Sequence, residues 1–278
     1  MVIGSERFCV NRKIAPNLTL ENFFRLVARC GLSKVELRND MQGGKVTDNL
    51  SDTQLNRLAT EYNIEIVTIN ALEMFNRIED KATLLKKAET LLKQAKAINS
   101  TAVVMCPDCN AGDQRSDTQK RADTLTALQL LAPLFKHYNV KGYVEPLGFG
   151  SSSLRSSLLT QSIIRDSAAP YKIVLDTFHH YLTDTAQQDF DAQIQIDQIG
   201  LVHLSGVEES LAKEALTDEE RIMLSDKDRL ASISQVHNLE RLGYQGTYSF
   251  EPFSSQLNNW TESDIEREIR QSIALLQA

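Results

Sequence analysis

Four side chains able to hold a metal close four short apolar runs. Glu145 ends Tyr143-Val144-Glu145, Asp176 ends Val174-Leu175-Asp176, His203 ends Leu201-Val202-His203, and Glu251 ends Ser249-Phe250-Glu251. A carboxylate inside an apolar strand carries a desolvation cost of several kcal/mol unless it is paired or bound to a cation. Convergence of all four would therefore demand a compensating charge, and one divalent ion supplies it. Three carboxylates and one imidazole, with positions left for substrate or water, suit Mn²⁺, Mg²⁺, Co²⁺ or Zn²⁺ and are too rich in oxygen for a structural zinc site. Taken singly, each residue has an ordinary alternative: a lysine partner for either glutamate, a turn cap for Asp176, a satisfied core histidine for His203. Their equivalent placement on successive strands is what favours the metal.

Such placement requires a scaffold that delivers strand ends to one point. The chain alternates short apolar runs, at 7–11, 34–38, 65–70, 101–106, 141–145, 172–176, 200–204 and 247–253, with stretches of helical period at 20–30, 51–62, 81–98, 118–138, 155–166, 190–198, 228–242 and 262–276. Thr19, Ser51-Asp52 and Thr261-Glu262 carry helix-start signals, while Gly31, Gly142 and Gly243 fall at helix-to-strand junctions. Eight βα units predict a single (β/α)₈ TIM barrel over 1–278, an α/β fold whose active sites gather at the C-terminal ends of the strands. A doubly wound open sheet would alternate in the same way, but no G-x-G-x-x-G follows the first strand.

At 278 residues, 42% hydrophobic and 24% charged, the chain is globular and has no linker-like stretch. Its net charge of −7 argues against a broad nucleic-acid footprint, and neither a signal peptide nor an apolar run of bilayer length is evident, so a cytoplasmic location and no membrane partner are expected. Four scattered cysteines point to free thiols; Cys106-Pro-Asp-Cys109 reads as strand-end packing followed by loop, since no second C-x-x-C accompanies it. Glu36, Arg38, Asn70 and Glu73 follow earlier strands and are candidates to line a substrate pocket, with structural pairing as the alternative for each. The apolar stripe of 81–98 suits either the barrel wall or a homo-oligomer interface.

The motifs VELR (35–38), INALEMFN (69–76), YVEPLGF (143–149), VLDTFHHY (174–181), VHLSGVEE (202–209), LTDEER (216–221) and SFEPF (249–253) resemble the xylose isomerase-like barrels of sugar isomerases and epimerases, most closely the inosose isomerase branch. The resemblance runs nearly end to end. It implies that Glu145, Asp176, His203 and Glu251 bind the metal, and that Glu145 and Glu251, on opposite sides of a small carbohydrate-like hydroxyketone, are the catalytic acid/base pair. It also implies substrate contacts for His179 and Arg221. Relatives follow that arginine with a Pro-Gly turn, whereas this chain continues Ile222-Met223-Leu224-Ser225-Asp226-Lys227, which puts the inosose substrate in question. A dehydratase of the 3-dehydroshikimate type could use the same site. An abasic-site endonuclease would need more histidines than the five present, and a non-catalytic binding barrel would leave the four-residue set unexplained.

Overall fold

The computed structural model describes residues 2–278. Strands β1 (Phe8–Asn11), β2 (Lys34–Arg38), β3 (Glu65–Glu73), β4 (Ala102–Cys106), β5 (Lys141–Val144), β6 (Lys172–Asp176), β7 (Ile199–Leu204) and β8 (Thr247–Phe250) pair in chain order, all parallel. β8 returns to β1, with Cys9 opposite Ser249, so the sheet is a closed barrel and the open-sheet alternative is excluded. Outside it lie α1 (Leu20–Arg29), α2 (Asp52–Glu61), α3 (Lys81–Ala97), α4 (Asp117–Tyr138), α5 (Ser157–Ser167), α7 (Gln187–Gln193), α8 (Ser232–Arg241) and α9 (Glu262–Gln277), with a short α6 (Thr177–Leu182) leaving the end of β6. No helix among the described residues is long and apolar enough to cross a membrane.

Local chemistry starts these helices where side chains can satisfy free amides. Thr19 accepts the Asn22 amide at 3.2 Å, and Ser51 with Gln54, like Thr261 with Asp264, forms a reciprocal capping box. The structure departs from several expected spans: the third strand runs on to Glu73, the eighth ends at Phe250, the helix expected at 190–198 is Gln187–Gln193, and two further differences have a clear cause beside the barrel mouth. Asp176 caps α6 by accepting the amides of Phe178 and His179, which turns the DTFHHY stretch into a helix the periodicity does not predict. The helix expected from 228 begins only at Ser232, because Asp228 is engaged in holding the amides of Val207, Leu230 and Ser232.

Alternation along the strands divides the core into two layers. Val10, Val144, Ile173, Leu175, Val202, Leu204 and Phe250 face the helices, whereas Cys9, Val67, Ala102, Val104, Tyr143, Val174 and Leu201 fill the barrel interior. Each of the residues at the mouth follows an interior residue by two: Glu145 after Tyr143, Asp176 after Val174, His203 after Leu201, Glu251 after Ser249. Register then aligns them, with Asp176 opposite His203 and His203 opposite Ser249. The apolar plug is therefore the floor on which the polar layer stands. Leu201→Ala is expected to lower the unfolding free energy by about 2–5 kcal/mol, measured as a lower urea midpoint at unchanged slope; a cost under about 1 kcal/mol would show the floor to be loosely packed.

Candidate active site

Strand ends bring Glu145, Asp176, His203 and Glu251 together, all buried, with one potential ligand atom from each lying within 4.8 Å of the others. His203 is at the centre: its Nδ1 is 2.9 Å from Glu145 Oε1, 3.0 Å from Glu251 Oε2 and 4.0 Å from Asp176 Oδ2. One ring nitrogen can donate to only one acceptor at a time, so three carboxylates facing it call for a positive charge in their midst. Burial opposes protonation of His203, yet Glu251, Glu36 and Glu145 lift its pKa well above the ordinary value. The donor set fits a divalent ion bound through Glu145, Asp176, His203 Nδ1 and Glu251, since hard oxygen donors with one imidazole suit such ions.

Glu36 and Asn70, expected to touch substrate, lie behind the histidine. His203 Nε2 is 3.1 Å from Glu36 Oε2, and the same carboxylate accepts hydrogen bonds from Thr68 Oγ1 at 2.5 Å, Asn70 Nδ2 at 2.9 Å, Asn11 Nδ2 at 3.2 Å and Ser249 Oγ. Both are fully or nearly fully buried, so Glu36 orients the imidazole and Asn70 orients Glu36. Among the described residues, their side-chain hydrogen bonds go to His203, Thr68, Asn11, Ser249 and each other.

Arg221 is also drawn inward, at 1% exposure. Nη2 donates to Asp176 Oδ2 at 2.6 Å and Glu251 Oε2 at 3.1 Å, Nε to Ser205 Oγ at 3.1 Å, and Nη1 to Asp218 Oδ1 at 3.0 Å. Its guanidinium lies 4.4 Å from the Phe253 ring centre and 5.0 Å from that of Phe178. Arg221 thus braces two of the carboxylates. The rebuilt stretch after it needs no Pro-Gly turn, because Ile222 and Gly206 exchange backbone hydrogen bonds at 2.8 Å and Asp228 ties down the following loop.

His179 is held differently. Its ring packs edge-on against Phe149 and Phe178, with centroids at 5.0 and 5.2 Å, and Nδ1 is buried without a partner. Gly148 permits this approach: a Cβ there would fall 2.2 Å from the His179 carbonyl oxygen. Burial, assisted by Arg221, lowers the His179 pKa to about 4, so the imidazole is neutral at pH 7. Three residues of the site escaped the sequence reading in this role. Asn11 ends β1 as Glu145 follows β5, and the same strand-end rule would have found it; Arg38 Nη1 reaches Glu251 Oε1 at 2.7 Å; and the Cys106 thiol, which burial pushes well above its usual pKa, lies 3.5 Å from Glu145 Oε2. Glu73 ends β3 exposed.

The depressed His179 pKa makes stability depend on pH. Between the ordinary value of 6.5 and about 4, the unfolded chain binds a proton that the native imidazole refuses, so stability falls as pH drops through that window. In His179→Phe this fall is expected to be shallower, measured by urea unfolding at several pH values; an unchanged slope would contradict a neutral buried histidine.

The xylose isomerase-like TIM barrel family model matches residues 24–278. A solved xylose isomerase domain containing protein from Salmonella typhimurium is 48% identical, superposes with a TM-score of 0.95 and is covered over 100% of both chains. The IolI protein, solved with a zinc atom, shares the fold at TM-score 0.88 and 18% identity, covering 97% of this chain and 98% of its own. D-psicose 3-epimerase from Clostridium cellulolyticum, solved with D-tagatose, does so at TM-score 0.73 and 14% identity, covering 98% and 100%. None of the curated proteins matches the chain by sequence. The family match over nearly the whole length and the full-length relative at 48% identity together establish that the chain belongs to the xylose isomerase-like TIM barrel family.

Proposed function

We propose that the protein is a divalent-metal-dependent isomerase or epimerase of a small polyhydroxy ketone, such as a sugar, a keto-sugar acid or an inosose, working by proton transfer next to the carbonyl. The observation that carries the reading is the buried quartet of Glu145, Asp176, His203 and Glu251, set at the barrel's C-terminal mouth with Arg221, Arg38 and Glu36 hydrogen-bonded to its members. When bound, the ion supplies electrophilic polarisation of a carbonyl and its neighbouring hydroxyl, which acidifies the adjoining C–H. Asp176 and His203 are the anchors, because Arg221 and Glu36 respectively hold them in place. Glu145 and Glu251 are the carboxylates positioned to take and return the proton, and neutral His179 offers a hydrogen bond to a substrate oxygen without competing for that proton.

The family's other chemistries fit less well. Among the described residues, only His179 and His203 stand at the mouth; His180 packs on Phe190 at 4.7 Å, and His137 and His237 lie in α4 and α8. A multinuclear nuclease centre has too few nitrogen ligands here. A dehydratase would share the first proton abstraction and differ only in expelling a β-hydroxyl.

The test is incubation with ketoses and inososes in D₂O, with Mn²⁺, Mg²⁺, Co²⁺ or Zn²⁺. Deuterium is expected at carbon beside the carbonyl, and Glu145→Gln should reduce its uptake at least about 100-fold. No uptake from any substrate with any of these metals would overturn the reading, while an ultraviolet-absorbing catechol product from 3-dehydroshikimate would reassign the protein to the lyases.

A further inference from the structure

One arginine beside the barrel mouth is buried with donors to spare. Arg12 directly follows β1 and is 4% exposed; its Nη2 donates to the Leu18 carbonyl at 2.6 Å and to Asp48 Oδ2 at 3.0 Å. Its Nε and Nη1 are buried without any partner. A guanidinium carries one N–H on Nε and two on each Nη, so the Nε–H and both Nη1–H groups are unused. Leaving charged donors unpaired away from water is costly, and native structures seldom do so without a reason.

The surroundings of Arg12 supply one. The loop between β1 and α1 and the loop between β2 and α2 enclose a cavity of about 410 Å³, whose wall includes Arg12, Thr19, Lys45, Asp48 and the amide side chains of Asn17 and Asn49. Arg12 and Lys45 are the cations of that wall and Asp48 is its one carboxylate, so positive charge is in excess here although the whole chain carries −7. Thr19 is also the N-cap of α1, which brings the positive end of a ten-residue helix and its first amides to the same wall. None of Glu145, Asp176, His203 and Glu251 lines this cavity.

We propose that the cavity is a separate oxyanion site, which takes a phosphate or carboxylate group on Arg12, Lys45 and the N-terminus of α1. A guanidinium offers directed donors to the oxygens of such a group, an ammonium adds a point charge, and a helix start adds its amides. The loops that the ion would join also support the candidate active site. Asn11, next to Arg12, donates to Glu36 and Glu251, while Arg38 and Asp40, which pair with each other, precede the loop that carries Lys45. Occupancy therefore ties together two loops that the barrel otherwise joins through Arg12 and Asp48.

Isothermal titration calorimetry with inorganic phosphate and, separately, with malonate tests the proposal and distinguishes a phosphate site from a carboxylate site. Asp176→Asn combined with His203→Ala is titrated beside the wild type, so that an anion captured by a metal is recognised as such. One anion per chain is expected to bind saturably in both proteins. Affinity should fall at least about 10-fold in Arg12→Met and about 2–5-fold in Lys45→Gln, and stay unchanged in Lys136→Gln, in the last turn of α4. Lys45 is exposed, so its variant reports on the site even where Arg12→Met does not fold. No saturable binding of either anion by the wild type overturns the site, the unused donors of Arg12 then being met by water alone. Binding that is undiminished in a folded Arg12→Met and in Lys45→Gln, or that is lost in the Asp176→Asn, His203→Ala protein, places the anion elsewhere and overturns it equally.

Discussion

The structure depends on compensating negative charge in a place where water does not reach. Glu145, Asp176 and Glu251 converge on His203 inside the barrel mouth, and Glu36 approaches from behind it. Left alone, such a cluster would be strongly destabilising, because each charge is desolvated and its neighbours repel it. The fold answers with cations and donors on three sides: Arg221 across Asp176 and Glu251, Arg38 on the far oxygen of Glu251, and Thr68, Asn70, Asn11 and Ser249 around Glu36. A divalent ion held by the quartet would complete the balance. Those interactions have more to do with orientation than with net stability, since buried ion pairs seldom exceed their own desolvation cost.

Positioning of that cluster is a matter of pleat and register. Because side chains alternate at a period of two, each strand that plugs the barrel with Tyr143, Val174 or Leu201 must present its next interior residue one layer higher, at the mouth. The layers are therefore coupled, and a slip of one residue in any strand would send its ligand outward among the helices. The loops finish the work: α6 begins on the Asp176 cap, and the Gly206–Ile222 bridge with Asp228 holds Arg221 beneath the mouth.

Much of this was legible in the residues. The eight apolar runs and their intervening helical periods gave the barrel because parallel strands buried on both faces carry a strong compositional signal. Glu145, Asp176, His203 and Glu251 stood out because charge inside an apolar run is costly enough to need a reason. What could not be read was which polar residues face the mouth and which face one another. Glu36, Asn70 and Arg221 have the types expected of substrate contacts, yet the partners that hold them include residues distant in sequence, as Glu36 shows with Asn11, 25 residues away, and Ser249, 213 residues away. Such pairings arise from closure of the sheet, which spacing along the chain does not encode. Helix α6 was missed for a related reason: six residues are too few for a periodic signal, and its start depends on a side chain already committed to the site.

The quartet is expected to hold one divalent ion. Elemental analysis after loading with Mn²⁺ or Zn²⁺ and exhaustive dialysis tests it most directly. Close to one ion per chain is expected in the wild type and almost none in Asp176→Asn combined with His203→Ala, with the barrel still folded by circular dichroism; equal metal content in both proteins, or none in either, would contradict a metal-binding quartet.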